Sequence, residues 1–232
     1  MSSAARLHVQ FHAGGDAWAG LAVVRDLVVA GWTGRDAVVL ERHIAELGAL
    51  GVARPKEIPC FYRVAANLLT TSDQVEAVGP DTSGEVEAVI VALETGLWVG
   101  VGSDHTDRRS EAVSVALSKQ ACAKPVAAEL WNFSDVAGHW DRLVLRSWAL
   151  DEAGRRLYQE GTLGHVRPPE DLTRRYLGGR PDLPAETAMF CGTIPTLHAV
   201  RAACAFEFEL EDPVLKRKIS HAYRVKELPR VG

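Results

Sequence analysis

Three acidic side chains between residues 84 and 104 have the spacing of a metal site. Glu85 and Glu87 are two residues apart and therefore lie on one face of a strand. If Thr95 and Gly96 form the two-residue loop of a hairpin, Asp104 lies opposite Glu87 and diagonal to Glu85 on that face. Oxygen ligands alone favour Mg²⁺ or Mn²⁺, and Ca²⁺ is also compatible. The alternative is that the glutamates face solvent on an edge strand and that Asp104 caps a helix.

A second group of side chains has the chemistry to activate water beside such a cation. His43 and Glu46 are three residues apart on a predicted helix, where a carboxylate can orient the imidazole and raise its basicity. Lys119 is a candidate for stabilising an oxyanion. Each also has an ordinary interpretation, because solvated helix faces commonly carry histidine, glutamate and lysine.

These residues lie on elements that alternate irregularly between helix and strand. Residues 84–104 are typical of a hairpin of two apolar strands, and residues 33–51 are typical of a helix. Residues 105–123 predict a second helix whose inward side chains are Val113, Ala116 and Leu117. Short apolar runs separated by Gly, Pro and Asp turns fill most of the remainder, so the expected class is a β-rich α+β fold.

Composition excludes several classes of partner. The chain has 232 residues with a net charge of −4, and no basic block that would indicate a nucleic-acid partner. No apolar stretch is long enough to span a bilayer, and no segment resembles a signal peptide, so a cytoplasmic protein without a membrane partner is expected. The four cysteines form no CxxC pair and fit a reducing compartment. No nucleotide-binding glycine motif is present.

Seven short segments follow one another between about Gly34 and Phe208: "GRDAVVLERHIAE", "PKEIPCFYR", "GEVEAVI", "DHTDR", "SKQ", "EAGRRLYQEGTL" and "CGTIPT". In this order they resemble the motifs of the fumarylacetoacetate hydrolase superfamily. That family shows a GRNYxxHxxE segment, a KPxxF stretch, an ExE metal pair, a DxTxR segment, a lysine, an NGxxxQxGxT run and a TGTPxGVG turn. Each motif is weak alone, but seven in the same order are specific.

The resemblance implies a β-rich roll or sandwich with a few helices, often dimeric. It implies one domain over residues 1–232, with N-terminal strands and a lid helix in 1–55 and a β-rich catalytic core in 56–232. It assigns a role to each motif residue: metal ligands Glu85, Glu87 and Asp104; a water-activating dyad His43 and Glu46; the family lysine Lys119; and substrate contacts Arg108, Thr193 and Gln159.

The chain departs from the family pattern at several of these places. Seven residues instead of four separate "GR" from His43, and Lys124 rivals Lys119 as the catalytic lysine. The final glycines are missing after "GTIPT". His105 and Asp107 are additional polar residues, which either recognise an unusual substrate or cap the following helix.

The function implied by the resemblance is metal-dependent hydrolysis of a C–C bond next to a carbonyl. The substrate would be a small 2-oxo or diketo carboxylate of acylpyruvate type, and the enzyme would be a homodimer. The same metal and enolate chemistry serves a decarboxylase, a hydratase or an isomerase. A third alternative is a small-molecule-binding protein without catalysis, since fold does not imply function.

Overall fold

The fold is described from a computed structural model, which covers residues 4–49, 54–152 and 154–231. The strands are β1 Ala5–Ala13, β2 Asp16–Val24, β3 Asp26–Gly31, β4 Cys60–Val64, β5 Leu69–Thr70, β6 Gln74–Val78, β7 Thr82–Ser83, β8 Val86–Leu93, β9 Gly96–Ser103, β10 Thr106–Asp107, β11 Lys124–Pro125, β12 Glu129–Asn132, β13 Val144–Asp151, β14 Gly154–Thr162, β15 Thr187–Thr193, β16 Ala205–Asp212 and β17 Arg217–Leu228. The α-helices are α1 Ala37–Ala49, α2 Arg108–Glu111, α3 Val115–Gln120, α4 Phe133–Val136 and α5 Pro169–Tyr176, and 3₁₀ turns occur at Ala66–Leu68, Ala137–Arg142 and Leu163–His165.

Two sheets make up most of the molecule. The larger has eight strands in the order β2-β1-β12-β9-β8-β15-β3-β4, and the smaller has five in the order β14-β13-β16-β17-β6. Two-stranded ribbons, β10-β7 and β11-β5, lie beside them. This confirms the expected β-rich α+β class. The first three strands share the large sheet with strands from the rest of the chain, so residues 5–31 are an integral part of that sheet.

The large sheet is buried on both faces. One hydrophobic cluster contains side chains of both sheets, including Ile90 of β8 and Phe206 of β16. The second cluster contains only side chains from one face of the large sheet and its connections, including Phe11 of β1 and Phe190 of β15. Strands β2 and β8 approach each other although three strands lie between them, which shows that the large sheet curls. A strand at its centre should therefore be apolar throughout.

Strand β8 has that character except at one position. Its sequence is VEAVIVAL, and every residue from Val86 to Ala92 is buried. Glu87 is the single charged residue among them and is 2% exposed. A carboxylate is rarely buried without a charged or metal partner, so Glu87 makes this end of β8 the candidate functional site.

The helix predicted over residues 105–123 is wrong. The chain forms two short helices there, α2 and α3, interrupted after Glu111. Val113 and Leu117, which were expected to face inward, are 83% and 62% exposed, whereas Lys119 is buried. In α3 the inward face is the one that carries Lys119, which pairs with Asp104 and Glu85, and Leu117 lies on the exposed face; Val113 precedes this helix. None of the described helices is long and apolar enough to cross a membrane.

Candidate metal centre

The three predicted carboxylates converge at the open end of the β8–β9 hairpin. Strands β8 and β9 are antiparallel, with Val86 opposite Ser103, and Glu87 opposite Gly102. Just beyond the last pair, the amide of Asp104 donates a hydrogen bond to the carbonyl of Glu85 at 2.9 Å. One carboxylate oxygen from each of Glu85, Glu87 and Asp104 lies within 4.8 Å of the other two.

The predicted register of this hairpin was wrong by two residues. Leu93 pairs with Gly96, so the loop residues are Glu94 and Thr95. Asp104 is therefore opposite Glu85 and diagonal to Glu87, the reverse of the prediction. Because side chains alternate with a period of two, a shift of two residues leaves every side chain on its expected face. The convergence was therefore predicted correctly from an incorrect register.

The three carboxylates differ in burial and in the pKa shift that burial causes. Asp104 is fully buried, Glu87 almost so, and Glu85 partly exposed. Burial raises the pKa of Glu87 well above its ordinary value, and the negative charge of Asp104 adds to that effect. Burial also acts to raise the pKa of Asp104, but the ammonium groups of Lys119 and Lys124 hold it below its ordinary value.

The two rival lysines differ in what their ammonium groups contact. Lys124 is fully buried, and its Nζ donates to the carbonyls of His105 (2.8 Å), Cys122 (2.9 Å) and Lys119. An ammonium group has three N–H donors, so these three carbonyls occupy all of them. Lys124 Nζ also lies 3.3 Å from Asp104 Oδ1, whereas Lys119 Nζ contacts two carboxylates: that of Asp104, and that of Glu85, whose Oε2 is 3.6 Å away. Lys119 therefore faces the site. Lys124 holds the backbone of residues 105, 119 and 122 around it.

Arg108 lies at the outer side of the carboxylates. Its Nη2 donates to Glu85 Oε1 and its Nη1 to Glu111 Oε2, both at 2.9 Å, and its Nε donates to Ser83 Oγ at 2.6 Å. Its side chain is 19% exposed. Arg108 thus orients Glu85 and leaves part of its guanidinium accessible from solvent.

Glu87 is held from strand β15 by a glycine. The amide of Gly192 donates to Glu87 Oε2 at 2.6 Å. Gly192 has a φ of +93°, and a Cβ there would lie 1.8 Å from Thr33 Oγ1. Only glycine permits this conformation and this approach. The glycine of "CGTIPT" is therefore required for the backbone conformation at this position.

The side chains of Gln159 and Thr193 form hydrogen bonds with other residues of the protein. Gln159 is fully buried; its Oε1 accepts from the amide of Val86 (3.0 Å) and from Ser147 Oγ (2.9 Å). Its Nε2 donates to Thr193 Oγ1 (2.8 Å) and to the carbonyl of Ile194 (2.6 Å). These four bonds occupy both donors and both acceptor sites of the amide. The Thr193 hydroxyl donates to the Val86 carbonyl at 2.9 Å.

His105 does not face the site, contrary to its predicted substrate-binding role. Its ring is fully buried, with Nδ1 2.9 Å from Tyr223 Oη and Nε2 2.9 Å from Thr82 Oγ1. Burial lowers the pKa of His105 to about 3, so the ring is neutral. Asp107 caps α2 by accepting from the amides of Arg109 and Ser110. These hydrogen bonds give His105 and Asp107 structural roles.

The predicted dyad lies on α1, which confirms that this segment is helical. His43 and Glu46 are within Ala37–Ala49, but their side chains lie outside the described part of the structure. The start of α1 is anchored by Arg35, whose Nε donates to the Val166 carbonyl and whose Nη1 donates to Asp141 at 2.7 Å. The "GR" motif marked this arginine, but its partners are remote in sequence.

The donor set fits a hard divalent cation. Three carboxylates supply oxygen ligands, which is the preference of Mg²⁺, Mn²⁺ and Ca²⁺. Asp104 Oδ1 is buried; the Lys124 ammonium lies 3.3 Å from it, but among the described residues this oxygen accepts no hydrogen bond of good geometry. A buried carboxylate oxygen without a hydrogen bond is costly, and a cation among these oxygens would remove that cost.

Comparison with known proteins places the chain in a family and gives its fold. Residues 30–223 match the family described as "Protein of unknown function (DUF2848)". No curated protein sequence matches significantly. The fold is similar to that of a protein from Burkholderia cenocepacia provisionally named a fumarylpyruvate hydrolase: TM-score 0.63, 20% identity, covering 99% of this chain and 98% of that one.

Two further solved structures share this fold. A 2-keto-3-deoxyarabinonate dehydratase aligns with a TM-score of 0.65 and 15% identity over 90% of this chain and 78% of its own. A protein from Oleispira antarctica, provisionally named a fumarylacetoacetate isomerase/hydrolase, aligns with a TM-score of 0.64 and 13% identity over 93% and 99%. The resemblance read from the sequence motifs is therefore confirmed at the level of the fold.

Proposed function

Because the chain belongs to the DUF2848 family and has the fumarylacetoacetate hydrolase fold, we propose that it is a metal-dependent enzyme acting on small 2-oxo or diketo carboxylates. The reaction we favour is hydrolysis of a C–C bond next to a carbonyl, as in an acylpyruvate. The observation that carries the proposal is the convergence of Glu85, Glu87 and Asp104 beside the ammonium of Lys119.

In this proposal Glu85, Glu87 and Asp104 hold Mg²⁺ or Mn²⁺, with Ca²⁺ as a weaker candidate. The bound cation supplies Lewis acidity towards the 2-oxo carboxylate. Three carboxylates against one divalent cation leave one net negative charge, which Lys119 balances. Both Arg108 and Lys119 then offer positive charge to an anionic substrate at the accessible side of the site.

Within the site each side chain has a separate task. Lys119 stabilises the negative charge that develops on oxygen or carbon as the bond breaks. The His43–Glu46 pair on α1 removes a proton from the attacking water. Gly192 and Gln159 hold Glu87 and Val86 in place through the hydrogen bonds described above.

Dehydration of a 2-oxo acid is the second candidate reaction. It is favoured by the fold shared with a 2-keto-3-deoxyarabinonate dehydratase. It needs the same cation and the same lysine but no attacking water. Solvent ¹⁸O in the product of a turnover assay would distinguish hydrolysis from dehydration or isomerisation.

Metal binding is the first test. Wild type with excess Mn²⁺ should melt about 5–10 °C higher, because saturation at ~100 times Kd contributes roughly 2.7 kcal/mol. Glu87→Gln and Asp104→Asn should lose this shift and lose turnover of acylpyruvates. Glu94→Gln is the matched control, since Glu94 is exposed in the loop of the same hairpin. A full Mn²⁺ shift in Glu87→Gln, or no shift in wild type, would refute the metal site.

We also propose that the protein is a homodimer and that its substrate is a small carboxylate. The dimer comes from the resemblance to a family whose members often form dimers. Light scattering during size-exclusion chromatography should give a mass of about twice the 25.2 kDa chain. A monomer mass at micromolar concentration contradicts this part alone.

A further inference from the structure

Strand β14 contains a bulge next to Gln159. Opposite it, Ser147 pairs with Gln159 but Trp148 pairs with Leu157, so Tyr158 is an extra residue. Neighbouring residues of a regular strand face opposite sides of the sheet. Here the side chains of Tyr158 and Gln159 are both buried, at 5% and 0% exposure. The bulge therefore turns two adjacent side chains towards the interior.

These two residues hold the loop that follows β15 at three points. Gln159 Nε2 donates to the carbonyl of Ile194 at 2.6 Å, and the amide of Leu197 donates to the Tyr158 carbonyl at 2.9 Å. The amide of Arg201 donates to the Tyr158 hydroxyl at 3.4 Å. Between these points the chain is largely exposed. We refer to residues 194–201 as the β15 loop.

The Tyr158 hydroxyl is near enough to Ser83 and Arg108 for both to affect its pKa. Burial raises the pKa of Tyr158, whereas the Arg201 amide, the charge of Arg108 and the Ser83 hydroxyl lower it. Ser83 Oγ accepts from Arg108 Nε at 2.6 Å, and Arg108 Nη2 donates to Glu85 at 2.9 Å. Hydrogen bonds therefore connect Ser83 through Arg108 to the candidate ligand Glu85, and the Tyr158 hydroxyl that holds the β15 loop lies close to this group.

Both ends of the β15 loop consequently lie at the site. Its first end follows Thr193, which is bonded to Val86 between the two glutamates. Its second end is bonded to Tyr158 beside Ser83 and Arg108. The β15 loop is therefore held beside Val86 at its first end and by Tyr158 at its second end.

We propose that Tyr158 is a positioning residue for substrate specificity. Its hydroxyl holds the β15 loop on the Ser83–Arg108 side of the site, and the loop then lies beside the tail of the bound substrate. The ligand class is a 2-oxo acid with an acyl tail beyond the metal-binding carboxylates. This inference rests on the proposed function for its ligand. The fastening of the loop does not depend on that function.

Tyr158→Phe removes the hydroxyl and keeps the ring, which packs against Phe206 at 5.9 Å between centroids. Hydrogen exchange followed by mass spectrometry should show the Arg201 amide exchanging about two- to tenfold faster, the effect of losing one hydrogen bond. The Leu197 amide should keep its rate, because its acceptor is the backbone carbonyl. Tyr176→Phe is the matched control, since the Tyr176 hydroxyl accepts from Arg63 at 3.2 Å in another part of the protein.

Calorimetry then tests specificity with oxalate, which has no tail, and acetylpyruvate, which has one. In Mn²⁺-loaded Tyr158→Phe the affinity for oxalate should stay within about twofold of wild type, and that for acetylpyruvate should fall by about three- to tenfold. Unchanged exchange at Arg201, or equal losses for both ligands, would overturn the role of Tyr158. Failure of Mn²⁺-loaded wild type to bind oxalate would count against the proposed function instead, and the exchange result would still decide whether Tyr158 fastens the loop.

Discussion

Removing the buried ammonium of Lys124 should damage the fold, whereas removing that of Lys119 should damage the chemistry. Lys124→Met keeps most of the side-chain volume and leaves three carbonyl oxygens without a donor. It also removes a positive charge 3.3 Å from Asp104 Oδ1. Deleting one partner of a buried ion pair costs about 3–5 kcal/mol. For a domain of this size that corresponds to a fall in Tm of roughly 6–20 °C.

Lys119→Met differs because a divalent cation can replace the lost charge. Without metal, three carboxylates repel one another and Tm should fall. With excess Mn²⁺ the protein should recover most of that loss while remaining inactive. Mn²⁺ should restore only the part of the Lys124→Met loss that comes from the charge of Asp104, since the carbonyls that lose their donor lie in the backbone of residues 105, 119 and 122.

Differential scanning calorimetry of both variants, with and without Mn²⁺, measures this contrast. Lys226→Met is the control for loss of a lysine, because Lys226 is 57% exposed and pairs with Glu76 on the surface. Such a pair is worth about 0–1 kcal/mol, so the control should melt within roughly 3 °C of wild type. The reasoning is refuted if Lys124→Met melts like the control, or if Mn²⁺ restores Lys124→Met and not Lys119→Met.

Two further predictions concern buried groups near the site. Burial lowers the pKa of His105 to about 3, against 6.5 for the unperturbed ring, so below pH 6.5 the unfolded chain binds a proton that the folded protein does not. The free energy of unfolding should therefore keep its full value above pH 6.5 and fall by about 2 kcal/mol between there and pH 5. Urea denaturation should show a weaker pH dependence over this range in His105→Gln. An unchanged pH dependence in that variant contradicts the burial of a neutral ring. Gly192→Ala would place a Cβ against Thr33 and displace the amide that holds Glu87, so it should lose the Mn²⁺ shift and at least about 2 kcal/mol of stability. Gly178→Ala, at a φ of +62° with open space around it, should lose only about 1 kcal/mol and bind Mn²⁺ normally, and equal effects at the two glycines would exclude the clash with Thr33 as the cause.

The convergence of the three candidate metal ligands was predictable because their geometry depends on a local period. Glu85 and Glu87 lie on one face of any regular strand because they are two residues apart. Asp104 lies on the same face in every hairpin register that differs from the observed one by an even number of residues. The position of the hairpin loop was not predictable in the same way. Glu94–Thr95 and Thr95–Gly96 are both reasonable two-residue loops, and packing of β8 and β9 in the large sheet decides between them.

The roles of individual polar residues depended on partners that are distant along the chain. Gln159 is satisfied by Val86, Ser147, Thr193 and Ile194, so its fully occupied amide is a property of the assembled site. His105 looks like a ligand in sequence because it adjoins Asp104. Its ring is directed into the core by Tyr223 and Thr82, which no local pattern indicates.

The sequence by itself determined the residue types of the site, the helix at residues 37–49, the apolar hairpin and the β-rich class, since alternation and spacing are local properties of the chain. Only the tertiary structure decided which lysine faces the carboxylates. Lys119 and Lys124 are five residues apart and chemically identical. They differ because three backbone carbonyls meet at the Lys124 ammonium and two carboxylates lie at that of Lys119, an arrangement that exists only once strands and loops remote in sequence have packed together.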